Sequence, residues 1–517
     1  MPITKLHYLE HKCEKLFLLI LIFLIISSKL TNAQTDTSLI LETENAVIYG
    51  VREKNGTKSF RGMPFASKPV GTARFKEAIP QLKMAGNIMA QEFPPACPQN
   101  QGNVNWYKSV AKGLGKNPDI IPPLENISED CLYLNVWTPE GETSDLPVMV
   151  WIHGGGNVNG WSYEPNYRGH NLSKEDVVVV SVQYRLGDLG FLPTPFNSDD
   201  DQSIANWGIS DLVASLKWIN KNIHYFGGNA NNITLFGESS GGGNIAGLML
   251  TPTAEGLFHR AIIQSGAVGP KATISLEIAQ ETALSAYKNS SINSLKSARD
   301  KHWKEMIGLH RRADTPYYHY VVADGDYTLA EPNYVSDVPL IIGSNKNENL
   351  MYSSATPELD IAQSLKAYKR SAEIQNYLDQ YSSDVKIQAD YFYTSESFLC
   401  PSLEITENLK SPSYVYSFTR KREGSDAIGA YHGAEIPYVF NTHDDWLPTD
   451  DKDLELTEAI MEYWVNFATT GHPNNVNVPR WDTYSSSSPY IQELGDRIEK
   501  SQHAPEAFCA LLKDKNE

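Results

Sequence analysis

Long apolar runs, basic excess and cysteine are all in short supply in this chain. The only sustained hydrophobic stretch is residues 16–26, eleven residues long and too short to cross a bilayer comfortably. Lys5, Lys12 and Lys15 precede it and Thr31-Asn32-Ala33 follows, which is the charge, apolar and small-residue order of a secretory signal peptide. Residues 1–33 are therefore expected to be cleaved rather than kept as an anchor. The remaining 34–517 should form one exported domain with no membrane span. Its polar end, residues 511–517, has neither a hydrophobic tail nor an endoplasmic-reticulum retention signal. No repeat, linker or low-complexity block divides the chain.

Basic residues number 44 against 62 acidic ones, and 40 against 60 once the four Lys and two Glu of residues 1–33 are removed. Such acidity argues against nucleic acid and anionic lipid as partners. It would attract a cation, yet it also keeps exported proteins soluble, so charge alone selects no ligand. Of five cysteines, Cys97, Cys131, Cys400 and Cys509 survive cleavage. An even count in an exported chain implies two disulfides, for which four cysteines allow three pairings. Asn55, Asn126, Asn171 and Asn289 begin glycosylation sequons, as does Asn232, which lies too near a predicted buried strand to be counted with them.

What the chain does have is a run of β-branched and apolar residues, 233–236, entering Gly237-Glu238-Ser239-Ser240-Gly241 and then a small-residue helix start. A strand turning sharply into a helix around one serine is a nucleophile elbow: the glycines make room for a strained backbone that lifts the hydroxyl above the sheet. Further strands are predicted at 46–51, 132–137, 148–152, 177–182, 261–264, 340–342 and 414–418, and amphipathic helices at 208–223 and 454–469. Strands alternating with helices imply an α/β architecture, a mostly parallel twisted sheet covered on both faces, with chemistry at the carboxyl ends of its strands.

The strand at 148–152 runs into His153-Gly154-Gly155-Gly156. Three positions without side chains let backbone N–H groups converge on a developing oxyanion, each such donor typically contributing about 3 kcal/mol. Gly155, Gly156 and the backbone amide of Ser240 are the candidate donors, a part in which the identity of the residue at 240 matters little. A serine needs a base, and the base needs an acid to orient it. His432, in a loop before an apolar run, is the best-placed histidine, and Glu348 follows the strand at 340–342. The order Ser239, Glu348, His432 is that of α/β-hydrolases. Glu238, Ser265 and Glu435 are candidates to support these three residues, and the chemistry requires no metal or organic cofactor.

With these residues in view, the chain resembles the type-B carboxylesterase/cholinesterase family of α/β-hydrolases. The resemblance extends over most of residues 34–517 and rests on 60–66, 129–137, 153–156, 183–187, 226–229, 237–241, 264–266, 345–348 and 432–435. It implies an α/β-hydrolase fold with excursions shaping a gorge, Ser239 as nucleophile, His432 as base, Glu348 as acid, and a small-molecule ester as substrate. It also implies a Cys97–Cys131 disulfide and a later Cys400–Cys509 disulfide, the family's middle one being absent.

The departures bear on substrate. Ser240 stands where the family usually has alanine, and Asn347 and Asn349 flank the acid where aspartate and glycine are usual. The tryptophan that stacks on choline in cholinesterases is replaced by Ile121, and the aromatic usual after the acid by Met351, although Tyr352 follows it. Trp106 is expected in a surface loop rather than in the gorge. Tyr317, Tyr318 and Tyr320 either narrow the acyl pocket or pack in the core. The expected function is thus a secreted serine carboxylesterase, with a cholinesterase or a catalytically silent adhesion or storage member of the family as alternatives.

Overall fold

The computed structural model describes residues 39–196, 205–266 and 273–516; the predicted signal peptide lies outside them. Eleven strands form the main sheet. In chain order they are β1 (Val51–Arg52), β2 (Lys58–Pro64), β3 (Tyr133–Thr138), β4 (Leu146–Ile152), β5 (Val178–Val182), β6 (Gly228–Glu238), β7 (Arg260–Gln264), β8 (Leu340–Asn345), β9 (Ser413–Phe418), β10 (Ile491–Leu494) and β11 (Ile498–Lys500). Across the sheet they run β11-β10-β9-β8-β7-β6-β4-β5-β3-β2-β1. From β10 through β5 the neighbours are parallel, while β1, β2, β3 and β11 pair antiparallel at the margins.

The parallel strands are apolar on both faces because both are covered. Val148, Val150 and Ile152 of β4 join one core together with Ile233, Leu235, Ala261, Ile263, Leu340 and Ile342. The alternate residues Met149, Trp151, Phe236, Ile262 and Ile341 join the core on the other face. Helix α2 (Trp207–Asn222), predicted at 208–223, packs on the first face, and α5 (Asp451–Thr470), predicted at 454–469, on the second. The remaining helices that bear on the site are α1 (Gly102–Gly113), α3 (Ser240–Met249) and α4 (Val385–Thr394).

The segment read as one strand over 46–51 is two. Ala46–Tyr49 belongs to a separate three-stranded sheet, and Val51 begins β1. Gly50 makes the break, since a Cβ there would meet the Leu39 side chain at 2.6 Å and the Ser59 carbonyl at 2.7 Å. Cys97 is bonded to Cys131 and Cys400 to Cys509. The first bond closes a loop that carries α1, and the second ties the helix Glu506–Leu512 to the body.

Candidate active site

The turn from β6 into α3 is a strained one. Ser239 has φ 56° and ψ −131°, and its side chain makes no capping bond to the helix that follows, so the hydroxyl is not spent on the backbone. The turn closes only because its neighbours lack side chains: a Cβ on Gly237 would lie 2.6 Å from the Ile152 carbonyl, and one on Gly241 2.1 Å from it. The amide of Ser239 is held by the Gln264 carbonyl at the end of β7, at 2.8 Å.

The glycine loop leaving β4 packs directly against this turn. Gly155 and Gly156 have φ of +114° and +64°, and a Cβ on Gly155 would stand 2.2 Å from the Asn159 carbonyl. The side chain of Ser240 also has a part: its hydroxyl accepts the Asn157 amide at 3.0 Å, fastening the glycine loop to the elbow. The Asn157 and Asn244 side chains exchange two further bonds of 3.1 and 2.8 Å.

Glu348 and His432 come from separate loops that are bonded to each other. Asn347 donates its amide to the Ala430 carbonyl and accepts the Ala430 amide on Oδ1, both at 3.1 Å. Its side-chain amide, with the Asn349 backbone amide, is received by Asp390 of α4 at 2.8 and 2.9 Å. Burial pushes the Asp390 carboxyl up to about 6. The two asparagines that depart from the family pattern thus find a carboxylate partner on a helix distant in sequence.

Glu348 is nearly fully buried, and its two oxygens are fully used. Oε1 accepts the Ser265 hydroxyl and the Asn345 amide, each at 2.6 Å, and Oε2 lies 2.6 Å from Nδ1 of His432. Glu435 accepts amide groups of Gln264 at 3.0 Å and of Asn345 at 2.6 Å. Oε1 of Glu238 sits 3.2 Å from Nε2 of His432 but has no aligned hydrogen-bond donor. Desolvation by itself lowers the pKa of His432; the carboxylates of Glu238, Glu348 and Glu435 outweigh it and raise the pKa overall. Burial raises Glu238 too, opposed by His432 and reinforced by Glu435 and Glu348. A neutral Glu238 next to a neutral imidazole, or a charged pair, are the two ways this couple can hold its proton.

Ser239, His432, Glu238, Gly155 and Gly156 open on one cavity of about 300 Å3. Its other walls include Asn103, Trp106, Tyr167, Tyr352 and Ile436. Trp106 is therefore not a surface-loop residue. It sits on α1, and its indole N–H donates to the Tyr352 hydroxyl at 2.9 Å. Asn103, one turn earlier, donates its side-chain amide to Glu164 at 2.8 Å, and Tyr107 donates its hydroxyl to the same carboxylate at 2.7 Å. Glu164 is fully buried, which pushes it up to about 7 against the pull of these bonds.

Ile121 packs in a small apolar cluster with Ala96, Val104 and Trp161. Tyr317 is buried and donates to the Phe191 carbonyl at 2.8 Å, Tyr318 is exposed and Tyr320 stacks against it; none of the three is among the cavity-lining residues. Of the sequon asparagines, Asn126 and Asn289 are exposed, Asn289 donating its side-chain amide to the Arg312 carbonyl at 2.8 Å. Asn55 and Asn171 are half-buried, with side-chain amides donated to the carbonyls of His170 and Asn441.

The profile of the Carboxylesterase family matches residues 37–511. Carboxylesterase 1C of Rattus norvegicus is 34% identical over 86% of this chain and 86% of its own length. The pyrethroid hydrolase Ces2e of the same organism is 32% identical over 85% and 82%. The cocaine esterase of Homo sapiens is 30% identical over 84% and 83%. Among solved structures, a PNB esterase superposes with a TM-score of 0.76 at 28% identity, covering 92% of this chain and 99% of that one.

Proposed function

The chain belongs to the carboxylesterase family, and from that membership we propose that Ser239, His432 and Glu348 hydrolyse carboxylic esters through an acyl-enzyme. The observation that carries this reading is the 2.6 Å contact between Nδ1 of His432 and Glu348, on an imidazole that shares its cavity with Ser239 and the glycine loop. Ester hydrolysis itself is the family's activity, and small-molecule esters are its substrate class.

In the proposed cycle the Ser239 oxygen attacks the ester carbonyl while Nε2 of His432 takes the hydroxyl proton. Glu348 holds Nδ1–H and stabilises the imidazolium. The negative charge on the carbonyl oxygen is met by the N–H groups of Gly155, Gly156 and Ser240, the last at a helix amino terminus where the backbone dipoles also favour it. The alcohol leaves with the proton from His432. Water, deprotonated by the same nitrogen, then cleaves the acyl-serine to the acid. The direct test is turnover of a short-chain nitrophenyl ester. The wild type should show it and Ser239→Ala should not, whereas equal rates would refute the assignment.

Residues 34–517 are proposed to act as a single exported domain after loss of 1–33. Two disulfides fit an oxidising compartment, and no helix among the described residues is long and apolar enough to cross a membrane. Asn126 is the sequon best placed to carry a glycan, followed by the exposed Asn289.

A choline-ester reading gains one specific observation. Trp106 lines the cavity beside Glu238 and Tyr352, so an aromatic and acidic wall is present although Ile121 does not supply it. Comparing acylcholines with neutral esters of the same acyl length separates the two: a strong choline preference that weakens in salt favours the second reading.

A further inference from the structure

Behind the glycine loop, away from the cavity, three side chains from three segments meet. Asp188 lies in the turn Gly187–Leu189, His310 in the turn Leu309–Arg312, and His319 shortly before the strand Val321–Ala323. Nδ1 of His310 and Nε2 of His319 each stand 3.0 Å from Oδ1 of Asp188, and the three ligand atoms lie within 4.8 Å of one another. The imidazoles are perpendicular, 89° apart with centroids at 4.5 Å, and do not stack; one nitrogen of each faces Oδ1 of Asp188.

We propose that Asp188, His310 and His319 bind a zinc-type divalent ion, with water completing its coordination. A tetrahedral ion with ligands at about 2.0–2.1 Å needs ligand atoms about 3.3 Å apart. The two nitrogen–oxygen edges are 3.0 Å and must open by only a few tenths of an ångström. Two imidazoles and one carboxylate suit zinc and its late first-row neighbours, whereas calcium and magnesium require oxygen-rich shells.

Charge points the same way. Asp188 is fully buried, and its partners among the described residues are the His310 amide and the two imidazoles, none a permanent cation. A divalent ion would cancel the charge of a carboxylate held away from water. The site has a way in, because the His310 side chain is 18% exposed while that of His319 is 2%.

The ion would act as a brace for the oxyanion loop. Asn157, immediately after Gly156, accepts the Gly187 amide at 2.6 Å and donates its side-chain amide to the His319 carbonyl at 2.8 Å. Joining Asp188 to His319 therefore joins two of the supports of the glycine loop. The inference does not depend on Ser239, His432 or Glu348 being catalytic.

The test uses untagged full-length mature protein, stripped with a chelator and dialysed against zinc chloride, calcium chloride or magnesium chloride. Metal content by mass spectrometry should give about one zinc per chain and no stoichiometric calcium or magnesium. Zinc should raise Tm by a few degrees and a chelator should reverse it. His310→Gln should lower zinc affinity at least 10-fold and abolish the Tm shift, while Ser239→Ala should bind zinc like the wild type. Wild-type protein with no bound zinc and an unchanged Tm overturns the proposal, as does zinc binding untouched by His310→Gln, or equal uptake of calcium. The first result is read on the wild-type chain alone, so a variant that fails to fold does not weaken the test.

Discussion

On one side of the cavity the residues around the proposed acid are linked in a chain of buried bonds: Glu348 to Ser265 and Asn345, Asn345 to Glu435, Glu435 to Gln264. On the other side, α1 presents Asn103 and Trp106 from inside a disulfide-closed loop, joined to the rest through the side chain of Glu164 and the Trp106–Tyr352 bond. The first wall comes from strand ends and can hold only one arrangement; the second comes from a connection and can change without disturbing the sheet. Reaction type should therefore be rigid in this chain, and substrate choice adjustable.

Breaking the rigid wall should produce the largest losses. Ser239→Ala should lower kcat by about 10^5–10^6-fold, with substrate affinity nearly kept. Glu348→Gln keeps the shape but removes the charge that stabilises the imidazolium. A loss of about 10^3–10^4-fold in kcat is expected, measured with the same nitrophenyl ester.

The coupling of His432 to Glu238 sharpens the comparison. The base must be neutral to act, so activity falls as pH drops through the raised His432 pKa. Glu238→Gln removes one carboxylate that raises it, so the acidic limb of the kcat/KM profile should move to lower pH, by on the order of one unit. An unmoved limb would mean that Glu238 does not contribute to the proton balance.

Across the cavity, Trp106→Ala should lower kcat/KM about 5–10-fold for esters of large or cationic alcohols and less than about 2-fold for the smallest alcohols. A uniform loss would place Trp106 with the rigid wall instead. Smallest of all, Ser240→Ala removes the bond to Asn157 and should cost about 1 kcal/mol of stability, read by denaturant unfolding, with activity reduced only a few-fold.

The rigid wall is also the part that was legible in the sequence. An elbow needs glycine where the Ile152 carbonyl approaches within 2.1–2.6 Å of a would-be Cβ, and buried strands need unbroken apolar runs, so both leave marks in the chain. Most strands and both helices were readable for that reason. The break at Gly50 was not, because its cause is contact with Leu39 and Ser59, which periodicity does not reveal. Trp106 reads as a surface residue in the sequence because its helix is short of large apolar residues, burying only Val104, Tyr107, Val110 and Ala111 inside a disulfide-closed loop. Asp390, Asn157 and the hydroxyl of Ser240 left no signal, since each acts through a partner far away in sequence.

The central claim is that one serine, activated by His432, becomes the acylated atom. A fluorophosphonate that phosphonylates activated serines, followed by peptide mass spectrometry, tests it most directly. The account predicts a single adduct, on Ser239, whose formation slows by orders of magnitude in His432→Ala. Active protein with no adduct, or an adduct on another residue with Ser239 unmodified, would contradict it.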